Sequence, residues 1–256
     1  MDKNYRSDEL RKYFFRPNLK APIIILALGL LVINYNSSQT KGFSELGWIA
    51  TLIGLAWIGF AIYRIRTAPS DETVDGWFQE DLDNLVAAAY AKLGLEKEQI
   101  IKEPLVIFAP VYWPVYGIPD REVVFHKGKD KVLRFGVYRV TIFLLADHLL
   151  ASYICDYNFI RKTHLNDRTH EYHYQDVVSV STEEYSASYT LQEGRRLIKA
   201  QKFRLSVSSG DKIEVVVNPY SIADNVGGKL PPSGADQAVQ VIRTMLRSKK
   251  VTRDQP

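Results

Sequence analysis

His170 and His173, with Glu171 and Asp176 close by, come nearest in this chain to the residue types and spacing of a metal site. On a strand, residues three apart point to opposite faces, because the side-chain period is two. The pair therefore reads as part of a half-exposed polar strand, and no metal is expected. His126, His148 and His164 stand alone, the last two at expected turns. Cys155 is the single cysteine, which excludes a disulfide framework and multi-cysteine zinc sites. A nucleophilic thiol needs a paired base and an electropositive setting. Cys155 lies in ASYICDY, read as an alternating strand, and is expected to be a core thiol. Gly227-Gly228 lacks the strand, helix and lysine of a phosphate loop, and no serine stands in a nucleophile elbow. These patterns predict a protein that is not an enzyme and carries no cofactor.

Recognition chemistry is better represented. Glu183-Glu184-Tyr185-Ser186-Ala187-Ser188-Tyr189, followed by Arg195-Arg196, joins aromatics to charges of both signs. Tyr112, Trp113, Tyr116 and Tyr157 add further aromatics. Tyrosine, tryptophan and arginine dominate binding hot spots. Ordinary strand and hairpin composition accounts for the same residues; if the chain has a ligand or partner surface, Tyr112, Trp113, Tyr116, Tyr157, Tyr185, Tyr189, Arg195 and Arg196 are its candidate residues.

The elements that position them begin with two apolar runs, Leu19 to Tyr35 and Leu46 to Tyr63. A bilayer core about 30 Å thick takes a helix of about 17–25 apolar residues, and neither run has the polar periodicity of a surface helix. A buried hairpin in a soluble core is the alternative; a membrane hairpin is the expectation. Lys3, Arg6, Arg11, Lys12, Arg16 and Lys20 precede the first run and Arg64 and Arg66 follow the second, whereas the loop between carries Lys41 and Glu45. Positive charge stays cytoplasmic, so both termini are expected in the cytosol and the protein in the inner membrane as a multi-pass chain. Gly29 and Ala50-xxx-Gly54 offer small faces for close helix packing. The N-terminus is not expected to be a signal peptide, because charges of both signs precede the apolar run, a second run follows and no small-x-small cleavage site is present. The formal net charge of +4 is modest and concentrated beside the apolar runs. It suits anionic lipid rather than nucleic acid, which needs one dense basic face.

The expected organisation is a cytosolic basic N-terminus at 1–18, a transmembrane hairpin at 19–66, a linker and amphipathic helix at 67–95, a β-rich domain with a C-terminal helix at 104–249, and a tail at 250–256. Val74, Trp77, Phe78, Leu82, Leu85, Val86, Ala89 and Leu93 recur at helical spacing over 71–93. Gly94 is a fitting C′ residue. From Pro104 onward short runs rich in Val, Ile, Tyr, Phe and Thr read as strands. Turns are expected at Lys127–Asp130, Ala146–His148, Asn166–Arg168, Glu193-Gly194 and Ser209–Asp211. The fold class is α+β: a mainly antiparallel barrel or sandwich, with a preceding and a closing helix. The closing helix carries the stripe Ala235, Ala238, Val239, Ile242, Met245 and Leu246, with Ser233 as its cap.

The stretches YRVTIFLLADHLLASYICDY, HYQDVVSVS and FRLSVSSGDKIEVVV, ahead of one amphipathic helix, resemble bacterial domains of the pleckstrin-homology type over about Val123 to Ser248. Some such domains sit behind a two-helix membrane hairpin. The resemblance implies a PH-like barrel, and the expected activity is protein binding. Together with the hairpin it points to an interaction or scaffold domain, an accessory subunit of a bacterial membrane assembly. Its expected partners are the lipid bilayer, a protein or a second copy of the chain, and possible small-molecule ligands, with no nucleic acid. The alternative is a ligand-gated membrane effector. Its architecture is similar to that of anti-phage proteins in which a small barrel senses a small-molecule or nucleotide signal and membrane helices breach the bilayer.

Overall fold

The computed structural model describes residues 3–35, 41–191, 194–218, 224 and 226–251, with their side chains except at 3–4, 35, 41–44, 185, 187–191, 194–198, 217–218 and 250–251. The described chain is α+β, with five helices and antiparallel sheets. It divides into two compact units, Met1–Ser70 and Asp71–Pro256.

The first unit is helical. Helix α1 (Lys3–Phe14) occupies what the sequence presents only as a basic segment. Leu10, Tyr13 and Phe14, at i, i+3 and i+4, are its buried apolar residues, and Arg6 and Glu9 are buried with them. It ends shortly before Pro17, which disfavours helical geometry in the preceding residue, and α1 lies against α3. Helices α2 (Lys20–Tyr35) and α3 (Lys41–Arg66) pack antiparallel. Their backbones meet where a side chain would not fit. A Cβ on Gly29 would stand 2.7 Å from the Thr51 amide nitrogen, and one on Gly54 would stand 3.1 Å from Leu26 Cα. Thr51 donates its hydroxyl to the Gly47 carbonyl at 2.9 Å, so its polarity is satisfied within α3. Among the described residues one helix is long and apolar enough to cross a membrane, over the 22 residues Glu45–Arg66. Helix α2 has 16 residues, about 24 Å at the helical rise, and falls short of that length by itself.

The second unit opens with helix α4 (Asp71–Leu93), which has Asp71 and Glu72 in its first turn, where the helix dipole favours carboxylates. Gly94 follows with φ +63°, the left-handed conformation that closes many helices. Strands β1 (Leu105–Pro110), β4 (Val137–Leu145), β5 (Leu149–Asn158) and β6 (Thr163–His173) form a four-stranded antiparallel sheet in the order β1-β4-β5-β6. Between β1 and β4 the chain makes a small hairpin, β2 (Phe125–Lys127) and β3 (Leu133–Phe135). Strands β7 (Val177–Leu191), β8 (Gly194–Val207) and β9 (Lys212–Asn218) form a three-stranded sheet in sequence order. Helix α5 (Ala235–Val251) ends the described chain.

Both larger sheets and α5 bury one apolar cluster. Phe143, Leu145 and Leu150 come from the first sheet, Phe203, Leu205, Ile213 and Val215 from the second, and Ala238, Val239, Ile242, Met245 and Leu246 from α5. The stripe expected on the closing helix is thus its buried face. No ladder among the described residues joins the two sheets into one closed barrel.

Helix α4 covers the other face of the four-stranded sheet. Phe78 stacks on Tyr138 at 4.4 Å between ring centroids and meets Phe108 and Phe159 edge-on at 5.0 and 5.3 Å. This explains a departure from expectation. The Cys155 strand is buried along nearly its whole length rather than on alternate residues, because the sheet is sandwiched between the core and α4. A second departure concerns Asn166-Asp167-Arg168. These residues lie inside β6, not in a turn, and Asn166 takes φ +56° where the β5–β6 register slips between Ile154 and Asp156. Asparagine tolerates that conformation in a bulge as it does in a turn. The reversal itself falls at residues 159–162, so His164 stands on β6 rather than at a turn.

Candidate functional site

Strand β4 carries a lone cation, Arg139, in the apolar run VYRVTIFLL. The pleat places Asp156 of β5 directly opposite, and Arg139 Nε donates to Asp156 Oδ1 at 2.8 Å. The Asp156 side chain is only 2 % exposed. Its other oxygen accepts from Asn166 Nδ2 at 2.9 Å, so the buried carboxylate is satisfied on both sides. Asn166 reaches it because the bulge turns the backbone there. The same amide group also donates to the Tyr116 carbonyl at 3.4 Å. The Arg139 guanidinium lies 5.3 Å from the Trp113 ring centre, a cation–π distance, and Trp113 meets Tyr112 edge-on at 4.7 Å.

These contacts frame an open groove of about 490 Å³ between the loop after β1 and the outer strand β6. Trp113 and Tyr116 from the loop, Arg139 from β4, and Asn166, Asp167 and Arg168 from β6 line it. Tyr116 is 93 % exposed, an unusual position for a large aromatic. Asp167 is engaged elsewhere: its Oδ1 lies 2.9 Å from His164 Nδ1 and its Oδ2 3.4 Å from Lys92 Nζ of α4. Burial raises the Asp167 carboxyl pKa, but His164, Tyr153 and Lys92 outweigh it and hold that carboxyl below its ordinary value.

Of the eight residues expected at a binding surface, Trp113 and Tyr116 meet in this groove. Tyr112 and Tyr157 are buried and offer little surface of their own. The backbone sets Tyr189 opposite Arg196 and Tyr185 opposite Ala200 on the β7–β8 ladder, with Arg195 opposite Thr190. The side chains of Tyr185, Tyr189, Arg195 and Arg196 lie outside the described residues. Sequence reasoning missed Arg139, Asp156, Asn166 and Arg168. The one available signal was the isolated charge of Arg139 inside an apolar strand, since a buried charge needs a partner.

Catalytic constellations find little geometric support. Burial pushes the Cys155 thiol up to about 12, the opposite of what a nucleophile requires. The neighbouring Tyr153 hydroxyl, 3.1 Å from His164 Nδ1, is likewise raised by burial. Among the described residues no group of three or more His, Cys, Asp and Glu side chains gathers as metal ligands do.

No protein-family model matches this chain, and neither does any curated protein or solved structure.

Proposed function

We propose that this chain is a membrane-anchored, non-enzymatic interaction protein: a two-helix hairpin in the inner membrane, carrying a cytosolic PH-like domain that binds a partner in a membrane assembly. The observation that carries the reading is the surface of α2 and α3. Ile23, Ile24, Leu28 and Leu31 on α2, and Leu46, Ile49, Leu52, Ile53, Leu55, Trp57 and Phe60 on α3, are all exposed. Only 22 % of the most apolar window of α3 is buried, far less than in the core helix of a soluble protein. Apolar side chains outside and glycines inside is the arrangement of helices packed in lipid, and an apolar surface this extensive marks a membrane or a partner in any setting. The shortness of α2 is compatible with spanning, because bilayers thin and flanking side chains snorkel around short helices.

The PH-like assignment draws support from the element order: a four-stranded meander interrupted by one small hairpin, then a three-stranded meander, then a helix buried against both. The groove at Trp113, Tyr116 and Arg139 is the proposed contact surface, since an open site rimmed by aromatics and arginine suits a protein partner better than an enclosed small molecule.

Alkaline carbonate extraction and cysteine labelling in intact cells test the anchor. The chain should stay with the membrane, and cysteines introduced at Ser38 and Ser248 should label from opposite sides. Release by carbonate, or equal labelling by an impermeant reagent, overturns the hairpin. Depolarisation of cells on expression, without a protein co-purifying in stoichiometric amount, assigns the chain to the effector class instead.

A further inference from the structure

The charged hydrogen-bonding groups left open in the groove are guanidiniums. Both oxygens of Asp156 are occupied, by Arg139 and Asn166. Both oxygens of Asp167 are occupied, by His164 and Lys92. Arg139 uses Nε on Asp156, which leaves its two terminal nitrogens for a ligand. Arg168, exposed on the bulged strand, has no ionic partner among the described residues. The acids are spent and the guanidiniums are not. The charge left open favours a ligand that supplies anionic acceptors, and guanidinium recognises carboxylate best because its planar fork can be matched by two oxygens. Beside these donors stand Trp113 and the exposed Tyr116, which suit an apolar neighbour of the acid.

We propose that the groove binds an extended protein segment in which an Asp or Glu side chain is flanked by an apolar or aromatic residue. The carboxylate sits between Arg139 and Arg168, and the apolar residue packs on Tyr116 and Trp113. A chain segment fits better than a small anion because the groove is open along the edge of β6, the outermost strand of its sheet, and would leave a small ligand largely in water. Asp156 acts as a positioning residue. It holds the guanidinium of Arg139 within 5.3 Å of the Trp113 ring centre, so little rotamer freedom is lost on binding. This inference rests on the reading of the soluble unit as an interaction domain and names the chemistry of its partner.

The test uses the full chain in phosphatidylcholine nanodiscs as bait for a displayed library of random octapeptides. Selected peptides are expected to be enriched in Asp or Glu next to an apolar residue. Arg139→Gln also strands the buried Asp156, so the deciding variants are Arg168→Gln and Tyr116→Ala, whose side chains are exposed. Each is expected to weaken a selected peptide about tenfold, the order of one charge-assisted hydrogen bond or one aromatic contact. Raising the salt concentration should weaken the parent more than Arg168→Gln. Selection of basic or uncharged peptides, selection of none, or binding by both variants as tight as the parent's overturns the proposal. Carbonate extraction of the same chain is read separately. A chain that stays in the membrane but selects no acidic peptide keeps the anchor and loses the acceptor rule. A chain that is released loses the anchor, while the peptides still decide the groove.

Discussion

Arg134 is heavily engaged within the second unit. It is 4 % exposed and donates Nε and Nη2 to Asp75 at 2.7 and 2.6 Å, and Nη1 and Nη2 to Asp130 at 3.1 and 2.8 Å. Asp71 accepts from the Lys129 amide at 2.8 Å. One guanidinium thereby ties the N-terminal end of α4 to the β2–β3 hairpin. Arg134→Met would leave those carboxylates facing one another. Asp75 and Asp130 are partly exposed and water would absorb some of the loss, so a destabilisation of about 1–3 kcal/mol is expected in thermal melts. Hydrogen bonding from Arg134 lowers the Asp130 pKa from 3.8 to about 2. A depressed carboxyl pKa stabilises the fold above its unfolded value and loses that contribution as pH falls through the folded one. The gap between parent and variant should therefore narrow between pH about 4 and about 2, and a gap that is constant across that range would contradict the assignment. Cys155, with its thiol pushed up to about 12, stays protonated at neutral pH. It should resist iodoacetamide in the folded chain and react fully once the chain is unfolded, as read by mass spectrometry.

Among the elements, α5 tests the core most directly. Ile242 is fully buried between the two sheets, whereas Gln240 is exposed on the opposite side of the helix. Ile242→Asp places an unpaired charge in that core at a cost of about 3 kcal/mol or more, a large part of the roughly 5–15 kcal/mol available to a domain. The melting temperature should collapse, while Gln240→Asp should leave it nearly unchanged. The short link between β3 and β4 offers a steric counterpart. A Cβ at Gly136 would run into the Glu122 carbonyl oxygen, and that carbonyl is fixed because the Glu122 side chain is itself buried and bonded to Asn158 and Arg161. Gly136→Ala should therefore cost about 1–3 kcal/mol by overpacking, measured by denaturant midpoint.

For the molecule as a whole, the division at Ser70 carries a prediction about independence. The unit Asp71–Pro256 contains both sheets, the helix that closes their core and the helix that covers the outer face of the larger sheet. A fragment beginning at Asp71 should fold alone and show one cooperative thermal transition in circular dichroism. A fragment beginning at Leu95 lacks Phe78 and the Asp71 and Asp75 partners of Arg134, and exposes an apolar sheet face. It should aggregate or melt far lower. Equal melting of the two fragments would show that α4 contributes nothing to the domain.

Much of this was written locally. The span of α4 and the stripe of α5 follow from helical periodicity, a property of residues three and four apart. The turns at Lys127–Asp130 and Ser209–Asp211 follow from Gly and Asp chemistry. The apolar runs of α2 and α3 announced themselves by length and absence of charge. What tertiary structure alone decided depends on residues far apart in the chain. Helix α4 lies over the four-stranded sheet, so Cys155 and its neighbours are buried on both faces where alternation was expected. Asn-Asp-Arg forms a bulge rather than a turn because β5 continues to pair across it. Trp113 and Tyr116 become a site only when β4, β5 and β6 bring Arg139, Asp156 and Arg168 beside them. Local propensity cannot see such partners, because the burial and pairing energies that set them arise between segments separated by dozens of residues.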